Sequence, residues 1–200
     1  MTVMNSARFR AIVFFLILSF AALLSLGNAD AAKKEQTSPE VYQAQAQSTQ
    51  VGKTFNVTVI IDRYSKPEER QGLVDAFEQA GSEGLVDALG KMDSKGRVVI
   101  TSAYVSSSYD ISFISKIPTS EGFKINLLTK LGPRESWLSG RSLGYSVSAL
   151  DLNINHDKTK SAGILRPACQ FKIDKESNQL KIEDNKTPWT LQNIVQKSKN

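Results

Sequence analysis

Between Thr54 and Val195 apolar and polar side chains alternate in run after run, and this period of two is the strongest constraint on what the chain can form. A strand turns successive side chains to opposite faces, so the pattern buries one face of a sheet and wets the other. Phe55, Val57, Val59 and Ile61 alternate with Asn56 and Thr58. After Gly96 the pattern resumes with Val98 to Thr101, then Tyr109, Ile111 and Phe113, then Phe123, Ile125, Leu127 and Thr129 beyond a turn at Pro118 to Gly122. Leu143, Tyr145, Val147 and Ala149 share one parity, whereas Leu150, Leu152 and Ile154 share the other, a phase change that predicts a β-bulge. Asn155 to Lys158 reads as a hairpin turn. Leu165, Cys169, Phe171 and Ile173 follow, with Pro167 implying an edge or a bend, and Leu180 with Ile182 and Trp189 with Leu191 close the series.

One segment breaks the alternation. Leu73, Val74, Phe77 and Ala80 fall on one helical face, and so do Leu85, Val86, Leu89 and Met92. Ser65 and Glu68 are spaced as a capping box, and Pro67 suits a first helical turn. Gly81 stops the first helix and Ser82 opens a second; GLVDAF and GLVDAL echo each other twelve residues apart, an offset that turns their stripes about 120° apart in one unbroken helix. A helical hairpin is therefore expected. The fold class that follows is α+β, mainly antiparallel β: an eight-stranded meander, barrel-like or strongly curled, with the hairpin inserted after the first strand as a cover over one face or one opening.

Ahead of this domain the chain reads as an export leader. Arg8 and Arg10 precede an uncharged apolar run from Ala11 to Leu26, and small residues follow at Gly27, Ala29 and Ala31. The expected division is a signal peptide over 1–31, a disordered linker over 32–50, a single β-rich domain over 51–196 and a polar tail over 197–200. The destination is periplasmic or extracellular, with membrane contact only through the leader if it is retained. Cys169 is the single cysteine, so no disulfide can form within the chain, and it reads as a small core residue. The formal net charge of +5 is mild and shows none of the clustering that nucleic-acid binding requires. Asp62 to Lys95 holds eight acidic and five basic residues against nine and fifteen from Gly96 onward, so the sheet is the basic part.

The stretches YSKPEERQGLVDAFEQAGSEGLVDALGKMDSKGRV, RSLGYSVSALDLNI and WTLQNIV, with Arg141, Ser142 and Tyr145 at a strand entry, resemble a family of exported bacterial proteins that carry no assigned activity. The resemblance spans Phe55 to Val195 and implies export and architecture without adding chemistry.

Catalytic patterns are sparse. Gly140 to Gly144 matches the nucleophile-elbow spacing around Ser142, but it opens a strand rather than a strand-to-helix turn. His156 is the only histidine and reads as a solvated turn residue; with one cysteine beside it, no zinc set, other metal site or cofactor is indicated. Glu68, Glu69, Asp75, Asp87, Asp110 and Asp151 are the carboxylates from which a glycosidase pair would have to come. The connection Leu131 to Gly140 places Trp137 between Arg134 and Arg141, and these three are the candidate binding residues, suited to a sugar face or an anionic group. The reading is an exported, non-enzymatic domain that binds a small apolar or anionic ligand or an envelope partner. The alternatives are an envelope-polymer hydrolase using paired carboxylates and a structural component that pairs through an edge strand.

Overall fold

The computed structural model describes residues 38–48, 54–104, 106–130, 147–186 and 188–197. Its elements are β1 (Glu40–Ser48), β2 (Thr54–Ile61), helix α1 (Pro67–Lys91), β3 (Gly96–Thr101), β4 (Ser106–Ile111), β5 (Phe113–Thr119), β6 (Gly122–Lys130), β7 (Val147–Asn155), β8 (Ala162–Asp174), β9 (Gln179–Lys186) and β10 (Trp189–Gln196). All pairings are antiparallel, in the order β4-β3-β2-β1-β10-β8-β7-β6-β5, with β9 beside β8 off this path. The sheet is not closed. Yet its two end strands, β4 and β5, are separated in sequence by Ser112 alone, so the sheet must curl until they meet there.

Ten strands therefore stand among the described residues where eight were expected, and β1 comes from the stretch read as a linker. Its inward residues are Tyr42, Ala44 and Ala46, alternating with exposed Gln43, Gln45 and Gln47. The period is present, but alanine carries little hydrophobic weight, and so the strand reads as low complexity. Small side chains are what this position needs: Phe55 on β2 and Trp189 on β10 stack across β1 with ring centroids 4.9 Å apart, beside fully buried Ala46.

At Ser112 the chain inverts its faces. Ile111 joins the interior cluster, whereas Phe113, two residues on, belongs to a second cluster on the outer face, and the interior parity resumes at Ile114. The corner is held by Ser112 N–H donating to Leu128 O and by Thr129 Oγ1 donating to Asp110 O. The outer edge of β5 is occupied at one point, where Ser65 N–H donates to Ile114 O at 2.7 Å and Ile114 N–H donates to Ser65 Oγ at 3.0 Å. Alternate residues present their backbone groups to the same edge, so Lys116 and Pro118 face as Ile114 does, and Pro118 has no N–H to offer a further strand.

The phase change in β7 has a different origin from the one expected. Val147 and Ala149 pack with the helix in the outer cluster, and Leu150 and Leu152 fill the interior, so both faces of β7 are covered. Register with β6 runs without interruption from Lys130↔Val147 to Gly122↔Asn155. The irregularity lies on β8, where Val147 faces Cys169 and Ala149 faces Arg166, leaving Pro167 and Ala168 opposite the single Ser148. Pro167 also marks the place where β8 changes neighbour, from β10 at Gly163–Leu165 to β9 from Ala168 onward. Cys169 is buried in the outer cluster, the core position expected for it.

The helical hairpin is not formed. Pro67–Lys91 is one helical element, kinked where Ala80 (φ −141°, ψ 19°) and Gly81 (φ 59°, ψ −141°) leave helical geometry. A Cβ on Gly84 would lie 2.1 Å from Ala76 O, so glycine there permits the close approach that the kink creates. Leu73, Leu85 and Leu89 bring both halves onto the outer face, against Phe113, Val147, Ala149, Cys169 and Phe171. Nor does the capping box use Ser65, whose hydroxyl and amide are spent on β5. It is shifted by one residue: Lys66 N–H donates to Glu69 Oε2 at 2.8 Å, and Glu68 stays exposed. The other carboxylate oxygen of Glu69 lies 2.5 Å from the Nζ of buried Lys95, which joins the helix start to the loop before β3.

Candidate functional site

Strand parity determines what faces the interior. Tyr42, Val57, Val59, Ile61, Ile114, Ile125, Leu127, Leu152 and Leu191 make it apolar through the middle. The Phe55–Trp189 stack lies toward one end. At the opposite end, where β1 begins and β2 finishes, the same inward parity carries Glu40 on β1 and Lys116 on β5. These strands lie far apart in sheet order, so the pair is a contact across the curled sheet rather than along a ladder.

Glu40 Oε2 accepts a 2.7 Å hydrogen bond from Tyr42 Oη, and Lys116 Nζ lies 3.3 Å from the same oxygen. Lys116 Nζ is 4.2 Å from the centroid of Phe123 and 5.3 Å from that of Tyr64. Burial alone would raise the Glu40 carboxyl, but bonding to Tyr42 and the charge of Lys116 outweigh it and hold the group below its ordinary 4.5. The phenols of Tyr42 and Tyr64 are pushed above their ordinary 10, first by burial and then by the anionic Glu40. The Tyr64 hydroxyl adjoins that carboxylate but forms no hydrogen bond of ordinary geometry, and its oxygen is buried. The arrangement is an ionised carboxylate on a rigid mount beside two aromatic faces, with a buried phenol hydroxyl next to it and a cation on a flexible stem.

A second polar group occupies the outer face. Ser115, Asn126 and Asp151 are cross-strand neighbours on β5, β6 and β7, and Arg166 Nη1 lies 2.6 Å from Asp151 Oδ2. Asn126 Oδ1 is buried with no hydrogen-bond partner among the described residues.

None of the sequence-derived candidates among the described residues belongs to the Glu40 group. Arg134, Trp137 and Arg141 lie outside the described residues, as do Ser142, the glycines flanking it and the leader. His156 is exposed in the turn after β7, its amide donating to Glu121 O. Among the carboxylates, Glu69 is bound to Lys95, Asp151 to Arg166, and Asp75 accepts from Gln71; Glu68, Asp87 and Asp110 are exposed. Among the described residues no three His, Cys, Asp or Glu side chains are grouped as a metal site would need.

Sequence reasoning missed Glu40 and Tyr42 together with β1, and it passed over Tyr64, Lys116 and Phe123 as a group because they come from separate elements. One signal was available: Lys116 shares the parity of buried Ile114, and a charged residue on the apolar face of a strand requires a reason. In comparison with known proteins, no family model, characterised protein or solved structure matches the chain.

Proposed function

We propose that this chain is an exported, non-enzymatic binding domain whose ligand site is the Glu40 end of the curled sheet. The observation that carries the reading is the gathering of the buried Tyr64 hydroxyl, the Glu40 carboxylate and Lys116 on the inward parity at this end. Polar groups on an inward parity cost stability unless they are paired or used. Concave sites in which aromatic walls surround a few convergent polar groups are the usual form of small-ligand pockets. Export is supported by the order of Arg8, Arg10, the apolar run and the small residues at Ala29 and Ala31.

The test is a two-dimensional amide NMR titration of the chain with small cationic, anionic and apolar fragments. Saturable shifts clustered on Glu40, Tyr42, Tyr64, Lys116 and Phe123 are expected. Shifts centred on other residues, or none from any fragment class, would remove the site.

A further inference from the structure

We infer that the Glu40 end recognises organic ammonium groups, and that Lys116 is the resident occupant of a site that a ligand amine can take over. The inference rests on the reading of this end as the binding site, and it adds the chemical class.

The surroundings of Lys116 Nζ are those in which an external alkylammonium would be held. Phe123 and Tyr64 present aromatic faces at 4.2 and 5.3 Å, and Glu40 supplies the counter-charge at 3.3 Å. An aromatic face attracts a cation through its quadrupole, and the attraction grows as water is excluded. The carboxylate does not depend on Lys116 for its place, because Tyr42, 1% exposed and rooted in the core, bonds to it directly.

Mobility is divided in the opposite sense. Lys116 reaches the site on a four-carbon stem from an edge strand, and its side chain is 35% exposed. It can leave by rotation of its own torsions, giving its charge to water without moving backbone. Exchange of one ammonium for another is nearly neutral in charge. The advantage of a ligand then comes from the rest of its body, and the Tyr64 hydroxyl beside Glu40 is one group positioned to contact it.

The experiment replaces the occupant. Lys116→Ala removes three methylenes and the ammonium, which are the atoms of n-propylammonium. In an amide NMR titration the variant should bind n-propylammonium at least tenfold more tightly than wild type, with shifts on Glu40, Tyr64 and Phe123. Equal concentrations of n-propanol and propionate should give no saturable response, and Glu40→Gln added to Lys116→Ala should weaken binding at least tenfold. Equal binding of n-propanol, or no saturable n-propylammonium binding by the folded variant, overturns the inference. Should Lys116→Ala not melt cooperatively, the Lys116 Cε resonance of wild type decides during titration with the same amine: movement toward the position of an exposed lysine supports displacement, and no movement overturns it. An anionic or apolar fragment that binds these residues while n-propylammonium does not would overturn the ammonium class and leave the site standing. Absence of both would overturn the two together.

Discussion

Glu69 closes two contacts at once: one oxygen accepts the Lys66 amide at the start of α1, and the other lies 2.5 Å from the Nζ of Lys95, which is only 5% exposed. Removing one member of a buried pair leaves the other charge without compensation. Glu69→Ala should cost about 2–4 kcal/mol by chemical denaturation, since it strands Lys95 and also removes the cap. Lys95→Met, which keeps the stem and removes the charge, should cost less. Equal losses would mean that the pair is not what docks the helix.

Acid should destabilise the fold through the same residue and through Glu40. Both carboxyls are held below their ordinary 4.5: for each, burial opposes the shift, and the bonding from Lys95 or from Tyr42 and Lys116 exceeds it. The unfolded chain then binds more protons than the folded one near and below that value, so stability is complete at neutral pH and falls as pH drops below about 4.5. Tyr42 and Tyr64 act in the other direction. Their raised values mean stability falls as pH climbs above about 10, where the unfolded phenols ionise first. Melting temperatures from pH 3 to 11 check both limbs, and Glu40→Gln should flatten part of each.

Three glycines of α1 should respond with different signs. Gly72 has open space around its missing Cβ, so Gly72→Ala should stabilise by about 0.5–1 kcal/mol. Gly81 has φ 59°, where a side chain is strained, and Gly81→Ala should cost about 1–3 kcal/mol. At Gly84 the new methyl would meet Ala76 O, and the loss should exceed about 2 kcal/mol because backbone has to move. Denaturant midpoints of the three variants check the order.

Burial on both faces of β7 makes adjacent residues sensitive to opposite changes. Leu150→Ala should cost about 2–5 kcal/mol by opening a cavity in the interior. Ala149→Leu should cost about 1–3 kcal/mol by overfilling the contact with α1. If Ala149→Leu were tolerated without loss, the outer face of β7 would not be packed as described.

Pro118 bears on assembly. Pro118→Thr restores an N–H to the outer edge of β5, and size-exclusion chromatography should then show concentration-dependent self-association that wild type lacks. An unchanged elution volume would show that Ser65 and the corner protect the edge without it.

The sequence made most of the sheet legible because its strands carry bulky apolar residues at period two. From β2 onward the alternation located the strands, apart from the corner at Ser112, which splits what reads as a single run through Tyr109, Ile111 and Phe113. It misled where burial was two-sided: the change of parity at Ala149 and Leu150 reads like a bulge, but it reflects a helix on one face and an interior on the other. The break at Gly81 was visible, yet the angle between the helical halves depends on the surface beneath them, which no local pattern encodes. The candidate site was the least legible part. Glu40, Tyr64, Lys116 and Phe123 become neighbours only when sheet order is known, and that order places β1 between β2 and β10.

That placement has a consequence for the growing chain. The ladder between β1 and β10 joins residues such as Gln45 and Gln192, so the earliest described strand waits for the latest before its second edge is satisfied. Contacts that far apart in sequence form slowly. A polypeptide built this way cannot complete its sheet while its later part is still being synthesised.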